Sequence, residues 1–311
     1  MTEPRRIIVT VPDEALLPAL DGIDGFEAMV WDLVGAAPAA RIDMIVGPPG
    51  RPPRPFREAL DGVGVGLLQL YSIGYEAVVG TLPAGIAVAN SASVHEPATA
   101  ELALTLLLAM QSELPDLVRA QDRGEWLHRR RAGLIDRRVM LLGYGGIGLV
   151  LEHMLAPFGA DLVRVASRPR LTDDGARVYG VDELPALLPT VDVVIVAVPL
   201  SGSTEGLVDR PFLSRLPNGA LVVNVSRGRI ADTDAIVAEA SAGRLRFALD
   251  TTEPEPLPAD HALWSLPGVL ISPHLGGISD SVPSRMRRLI REQAERLARG
   301  EAPRNVVFVS E

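Results

Sequence analysis

A short strand-like run, Arg138-Val-Met-Leu-Leu, passes directly into Gly143-Tyr144-Gly145-Gly146-Ile147-Gly148 and then into the helical pattern Leu149 to Phe158. A strand that becomes a helix through G-x-G-x-x-G has few folds open to it. Gly143 makes the tight turn, Gly145 lets backbone approach a pyrophosphate, and Gly148 allows close packing of helix on strand. The helix N-terminus then offers free N–H groups and the positive end of its dipole to phosphate. In a chain with 29 glycines the same spacing also arises as a turn that holds no ligand. The context favours a dinucleotide, because the turn lies within a long series of strands and helices.

That series runs along the whole chain. Short β-branched apolar runs alternate with helical patterns, the signature of parallel sheets with crossover helices. The first third offers strands at Ile7–Thr10, Met29–Trp31, Met44–Val46, Leu67–Leu70 and Ile86–Ala89, with helical stretches at Asp13–Leu20 and Phe56–Leu60. Gly47 to Pro55 reads as a surface loop, and Glu96 to Ser112 as a long helix rich in Ala and Leu. Six further strands follow, at Val139–Leu142, Leu162–Val165, Val191–Val198, Ala220–Val223, Phe247–Leu249 and Val269–Ile271. They make a Rossmann-sized unit of about 170–180 residues. Ser281 to Arg299 is an arginine-rich amphipathic helix closed by Gly300 and Pro303.

A length of 311 residues exceeds the roughly 250–300 at which a single core stops growing. The fold class expected is therefore α/β, with two Rossmann-like or flavodoxin-like parallel-sheet domains. The nucleotide-binding domain, 96–280, is inserted into a substrate domain formed by 1–95 and 281–311. Helices near 96–115 and 281–299 would form the two crossings, with ligands in a cleft between the domains.

Composition removes several function classes. Net charge is −9 and no basic run carries interleaved aromatics, so no nucleic-acid partner is expected. There is no cysteine, which excludes disulfides, thiolate nucleophiles and Cys-ligated zinc, and no metal site is expected. All 30 basic residues are arginine, so Schiff-base chemistry on lysine and a P-loop lysine are excluded too. Met1 to Val11 lacks a signal-peptide core, and the most apolar stretch, Leu102 to Met110, is far too short to span a bilayer. A cytoplasmic protein with no membrane partner is expected.

Dinucleotide sites for NAD usually carry an acid about 20 residues beyond the glycine turn, on the ribose hydroxyls. Here the second strand ends Val165-Ala166-Ser167-Arg168-Pro169-Arg170; Asp161 precedes it and Asp173 lies well past it. Ser167, Arg168 and Arg170 suit a 2′-phosphate by charge and by bidentate hydrogen bonding. The alternative is an exposed loop that is arginine-rich because the chain lacks lysine. NADP(H) is expected over NAD(H).

Three more segments each follow a strand: Asn224-Val225-Ser226-Arg227-Gly228-Arg229, Asp250-Thr-Thr-Glu253-Pro-Glu255-Pro256, and Ser272-Pro273-His274-Leu-Gly276-Gly277. An Arg, an acid and a His at the C-terminal ends of successive parallel strands converge where open α/β sheets bind ligands. Taken singly, each also reads as a surface arginine, a loop acid or a satisfied histidine. Arg227 can clamp a carboxylate and polarise a keto oxygen. His274 can give a proton to a developing alkoxide, with a neighbouring carboxylate favouring the charged ring and fixing it.

With the glycine turn, these segments resemble the signature set of the D-isomer-specific 2-hydroxyacid dehydrogenases. The likeness extends to Val198-Pro199-Leu200 with Thr204, and to the ending Asn305-Val-Val. It implies an NAD(P)-dependent oxidoreductase that reduces a small 2-keto acid or oxidises the 2-hydroxy acid, of the glyoxylate/hydroxypyruvate or phosphoglycerate type. Arg227, Glu255 and His274 would be its catalytic set. Glu255 is preferred over Glu253 because the family's acid stands five residues after the aspartate and directly before a proline. The cofactor would lie on Tyr144, Gly145, Gly146, Ile147, Ser167, Arg168, Arg170, Val198, Pro199, Thr204, Val225, Ser226, Arg227, Asp250, His274, Gly276 and Gly277, with Asp250 on the nicotinamide carboxamide.

In the first domain Ser72, Ile73 and Gly74 resemble the loop whose amides bind the substrate carboxylate, without the family's usual first glycine and aspartate. His95 is either a substrate contact or an N-terminal helix residue. The resemblance implies a homodimer, with the Glu96–Ser112 helix near its interface, and no regulatory domain is expected after residue 311. Two other functions share the pattern: a nucleotide-sensing corepressor that binds without turnover, and phosphite oxidation. Formate oxidation is disfavoured, since it needs no proton transfer and those relatives lack a glutamate at the acid position.

Overall fold

The structure, a computed structural model, describes residues 6–311 except Arg51 and Pro53. Parts of the N-terminal stretch and of the 47–55 loop therefore lie outside the described residues. The chain divides into two compact units, Met1–His95 with Asp280–Glu311, and Glu96–Ser279.

In the first unit, β1 (Ile7–Val11), β2 (Phe26–Val30), β3 (Arg41–Val46), β4 (Gly64–Gln69) and β5 (Ala87–Ala89) pair in parallel in the order β5-β4-β3-β1-β2. A C-terminal strand, Val306–Val309, adds antiparallel to β5. That strand was not expected from the sequence, because four residues behind Pro303 look like a tail until an open edge is there to receive them. The Asp13–Leu20 stretch forms a 3-10 helix, Glu14–Leu20, rather than an α-helix, with Pro18 inside it. Proline cannot donate the backbone bond that an α-helical interior needs. Ile45, Leu68 and Val88, paired across β3, β4 and β5, lie wholly buried on one face of this sheet.

The second unit holds β6 (Arg138–Leu142), β7 (Asp161–Ala166), β8 (Arg170–Leu171), β9 (Arg177–Gly180), β10 (Val193–Val196), β11 (Leu221–Asn224), β12 (Arg246–Leu249) and β13 (Val269–Ile271). Their order is β13-β12-β11-β10-β6-β7-β9-β8, parallel throughout except that β8 runs antiparallel to β9. Six strands were expected and eight are present. The extra pair is a hairpin built from residues that read as loop, too short to show any periodicity. Its turn is closed by Thr172 N–H to the Ala176 carbonyl at 2.9 Å. Arg170 therefore sits on an edge strand, not in an irregular loop.

β6 and β10 are adjacent although the chain leaves β6 toward β7, so the connection reverses between them. Open α/β sheets bind ligands at such a switch point, beyond the C-terminal strand ends. Both faces are covered. Met140, Leu142, Val194 and Val196 enter one core, while Val139, Leu141, Val193 and Ile195 enter the other. Burying each such side chain contributes about 1.5–3 kcal/mol, which makes these strands a stiff platform. The helix Glu96–Gln111 packs in this second unit against the helix Gly146–Leu155. Among the described residues no helix is long and apolar enough to cross a membrane.

Candidate active site

The glycine turn leaves β6 with its geometry forced at two points and open at a third. Gly143 has φ +109°, and a Cβ there would lie 2.5 Å from the Ala197 carbonyl carbon and oxygen at the end of β10. A Cβ on Gly148 would meet the Gly143 oxygen at 2.6 Å. Gly145 is different: φ is −111°, and nothing stands within 4 Å of a Cβ placed on it. Neither packing nor backbone requires glycine there. The helix Gly146–Leu155 starts at that point with no side chain capping it, so its first amides face the same open space. This cradle fits a pyrophosphate. Ile147 is half-buried behind it.

Four loops meet around the cradle at the C-terminal strand ends. After β10, Thr204 hydroxyl donates to the Pro199 carbonyl at 2.6 Å and accepts Ser201 N–H at 2.8 Å, so it shapes its own turn. Val198 is buried, and its carbonyl accepts the Ser226 hydroxyl. After β11, Asn224 forms the arginine turn from both sides. Its Oδ1 accepts Ser226 N–H at 3.0 Å, and its Nδ2 donates to the Arg227 carbonyl at 3.1 Å. Val225 is buried, and Arg227 is half-buried with Nη1 on the Ser226 carbonyl at 2.8 Å. A Cβ on Gly228 would fall 1.9 Å from the Thr252 carbonyl, so the arginine turn lies directly on the acidic loop after β12.

That acidic loop delivers Glu255 to His274. Glu255 Oε1 and His274 Nδ1 are 2.6 Å apart, each side chain a little under half exposed. Glu253, the other acid in the loop, accepts the Thr233 hydroxyl only through its backbone. With Nδ1 donating to the carboxylate, Nε2 is the ring atom left for chemistry. Asp250 is 2% exposed and turns inward. Its Oδ1 accepts the Ser272 hydroxyl and Leu275 N–H, both at 2.7 Å, and its Oδ2 accepts Gly276 N–H at 2.9 Å. The Thr99 hydroxyl holds the Gly276 carbonyl at 2.9 Å, beside Gly277. The sequence reading passed over Asn224, Ser272 and Thr99. Only Asn224, an Asx residue at a strand end before a turn, carried a signal that could have found it.

Ser167 and Arg168 are exposed beyond β7, and Arg170 reaches back to the glycine turn, with Nη2 on the Tyr144 carbonyl at 2.9 Å. In the first unit the Ser72-Ile73-Gly74 loop is braced from below. Ser91 N–H bonds the Ser72 carbonyl at 3.0 Å, and Asn90 Nδ2 bonds the Ile73 carbonyl at 2.9 Å. His95 Nε2 meets the Tyr71 carbonyl at 2.5 Å, which makes it a support of this loop. Burial pushes the Tyr71 phenol up from its ordinary value, with Asp13 adding to the rise and Arg287 opposing it.

The family model for the NAD-binding domain of D-isomer specific 2-hydroxyacid dehydrogenases matches residues 104–276. A glyoxylate reductase/hydroxypyruvate reductase from Homo sapiens is 29% identical over 256 residues, 79% of this chain and 78% of that one. Its counterpart from Mus musculus is 30% identical over 258 residues with the same coverage. Among solved structures, a D-isomer specific 2-hydroxyacid dehydrogenase from Xanthobacter autotrophicus Py2, in complex with NADPH and MES, is 26% identical. It gives a TM-score of 0.82, with 98% of each chain covered.

Proposed function

The chain belongs to the D-isomer-specific 2-hydroxyacid dehydrogenase family, and we propose that it interconverts a small 2-keto acid and its 2-hydroxy acid with NADP(H) in preference to NAD(H). The observation that carries the reading is the His274–Glu255 pair at 2.6 Å, on the strand-end rim that also bears the open glycine cradle.

Reduction adds a hydride to the carbonyl carbon and a proton to its oxygen. The bound nicotinamide supplies the hydride chemistry. The chain's own residues supply the rest. Arg227 grips the substrate carboxylate and draws electron density toward the keto oxygen, which a planar cationic fork does well. His274 gives the Nε2 proton to the alkoxide as it forms, and Glu255 stabilises the charged ring from Nδ1. In the oxidative direction the same atoms take the proton back. Tyr144–Ile147 would hold the cofactor's pyrophosphate, Ser167, Arg168 and Arg170 would take its 2′-phosphate, and Asp250 with the Gly276–Gly277 turn would serve its nicotinamide end. Ser72, Ile73 and Gly74 of the first unit would offer backbone amides to a carboxylate.

The test is a panel of glyoxylate, hydroxypyruvate, pyruvate, phenylpyruvate and 3-phosphohydroxypyruvate, each with NADPH and with NADH. Turnover of at least one keto acid is expected, faster with NADPH. Tight nucleotide binding with no turnover of any of them would overturn the enzymatic reading in favour of a nucleotide sensor.

A further inference from the structure

The two arginines beyond β7 look alike in sequence and are not alike in the fold. Arg168 is exposed in a bend and makes no hydrogen bond or ion pair among the described residues. Arg170 lies in β8 opposite Val178 of β9, and its guanidinium is seated on the glycine turn. One nitrogen donates to the Tyr144 carbonyl at 2.9 Å, and its central carbon stands 5.7 Å from the Tyr144 ring centroid.

Tyr144 is itself immobilised. The Gly143 and Tyr144 amides donate to the Val165 carbonyl at 3.0 and 2.8 Å, which staples the turn to the C-terminal end of β7. Tyr144 is 5% exposed, and its hydroxyl donates to Glu152 on the helix behind. The other Glu152 oxygen takes Arg164 Nε at 2.9 Å, and the Arg164 guanidinium lies 5.8 Å from the same ring. The ring is thus flanked by two cations of different status. Arg164 is neutralised by Glu152, whereas Arg170 has no carboxylate partner among the described residues. Burial raises the Tyr144 phenol, and the Arg164 hydrogen bond lowers Glu152, so the pair stays phenol and carboxylate through the neutral range.

We propose that Arg170, seated on Tyr144, is the residue that distinguishes a 2′-phosphorylated adenosine from an unphosphorylated one, with Tyr144 as its positioning residue. The end of β7 is where the adenosine ribose lies in a doubly wound fold. A guanidinium fixed there has lost its rotamer freedom before the nucleotide arrives, and it keeps further N–H donors for a bidentate grip on phosphate oxygens. Arg168 must instead be ordered on binding, and in open solvent its charge is screened. The assignment rests on the NADP(H) reading above.

Equilibrium dissociation constants of NADPH and NADH, measured by fluorescence titration of wild type, R168A, R170A, Y144F and Y144L, test it. R170A should reduce the NADPH-over-NADH affinity ratio on the order of 10–100-fold, the size of a charge-assisted hydrogen bond. R168A should reduce it by no more than about fivefold, the size of a screened surface charge. Y144L, which removes the ring under the guanidinium, should also reduce the ratio, whereas Y144F, which keeps the ring, should hold the wild-type ratio. A ratio erased by R168A and kept by R170A overturns the proposal, and so does equal weakening of both nucleotides in Y144L. A wild type without any preference for NADPH sinks the cofactor reading itself, a result distinct from either. Both arginines are exposed, so their comparison stands even where Y144L folds poorly.

Discussion

His274 donates its backbone N–H to the Asp250 carbonyl at 2.8 Å, and its φ there is +56°. A left-handed conformation is uncommon for a residue with a side chain, costs roughly 1–3 kcal/mol, and persists where surrounding bonds over-determine it. Those bonds are on the next two residues, whose amides both end on the Asp250 carboxylate. The same twist that strains the backbone presents Nδ1 to Glu255.

This geometry dictates how the acid/base should be tested. His274→Ala would confound lost chemistry with a strained alanine, whereas His274→Asn places a residue that tolerates φ > 0. H274N should lower kcat by about 10²–10⁴-fold, the usual share of positioned proton transfer, and move cofactor Kd far less. Near-normal turnover across the neutral pH range would remove His274 from the proton's path.

Arg227→Lys keeps the charge and loses the fork. Arg227 Nη1 donates to the Ser226 carbonyl, and a lysine ammonium offers a single point charge in place of the planar, multi-donor guanidinium. KM for the keto acid should rise and kcat should fall together. A variant changed only in thermal stability would make Arg227 a brace of its own turn.

The core strands of both sheets were legible because apolar runs such as Val193–Val196, buried on both faces, stand out against turn residues. The hairpin Arg170–Gly180 was not, since a two-residue strand has no period to read. At the site, the segments holding Arg227, Glu255 and His274 were visible as residue types at strand ends. What the sequence could not show is which partner each polar atom takes. Asp250 reads as a ligand contact, yet three of its hydrogen bonds go to its own chain. Thr204 likewise spends its hydroxyl within its own turn. Partner choice depends on loop paths that no local pattern encodes.

Gly145 and Gly143 should fail in opposite ways. Gly145→Ala meets nothing in the protein and needs no unusual backbone, so the melting temperature should stay near wild type while NADPH affinity drops by tenfold or more, on the order of one lost phosphate contact. Gly143→Ala sets a methyl 2.5 Å from the Ala197 carbonyl at φ +109°, so it should destabilise the fold first. Thermal unfolding beside nucleotide titration separates the two. A G145A protein that binds NADPH normally would leave the cradle without its ligand.

Glu152 gives a pH signature. Its carboxyl lies below the ordinary 4.5, chiefly through the Arg164 hydrogen bond, with Tyr144 adding to the shift and burial opposing it. The unfolded chain therefore takes up this proton first on acidification. Stabilisation is full above 4.5 and is lost as pH falls through the lower folded value. The Tm gap between wild type and Glu152→Gln should be widest near neutrality and close in acid. A gap that does not vary with pH would assign the effect to packing.

Asp250→Asn separates two roles for one carboxylate. The family resemblance places this aspartate on the nicotinamide carboxamide, and the structure shows it receiving the amides of the turn that carries His274. Among the described residues Oδ1 accepts two donors, whereas Oδ2 accepts only Gly276 N–H and keeps a lone pair for a ligand. Asparagine has the same shape and one acceptor fewer. With its oxygen in the Oδ1 position, its NH2 would face the Gly276 N–H, donor against donor, at a site 2% exposed. An unsatisfied buried amide costs about 1–3 kcal/mol. In a unit of this size that lowers Tm by several degrees, at roughly 2–4 °C per kcal/mol. If the turn is the main role, D250N should lose Tm and kcat together. If the carboxylate acts chiefly on the nicotinamide, cofactor Kd should rise while Tm and the pH profile stay at wild type. The three hydrogen bonds favour the first outcome, and a D250N protein with unaltered melting would refute it.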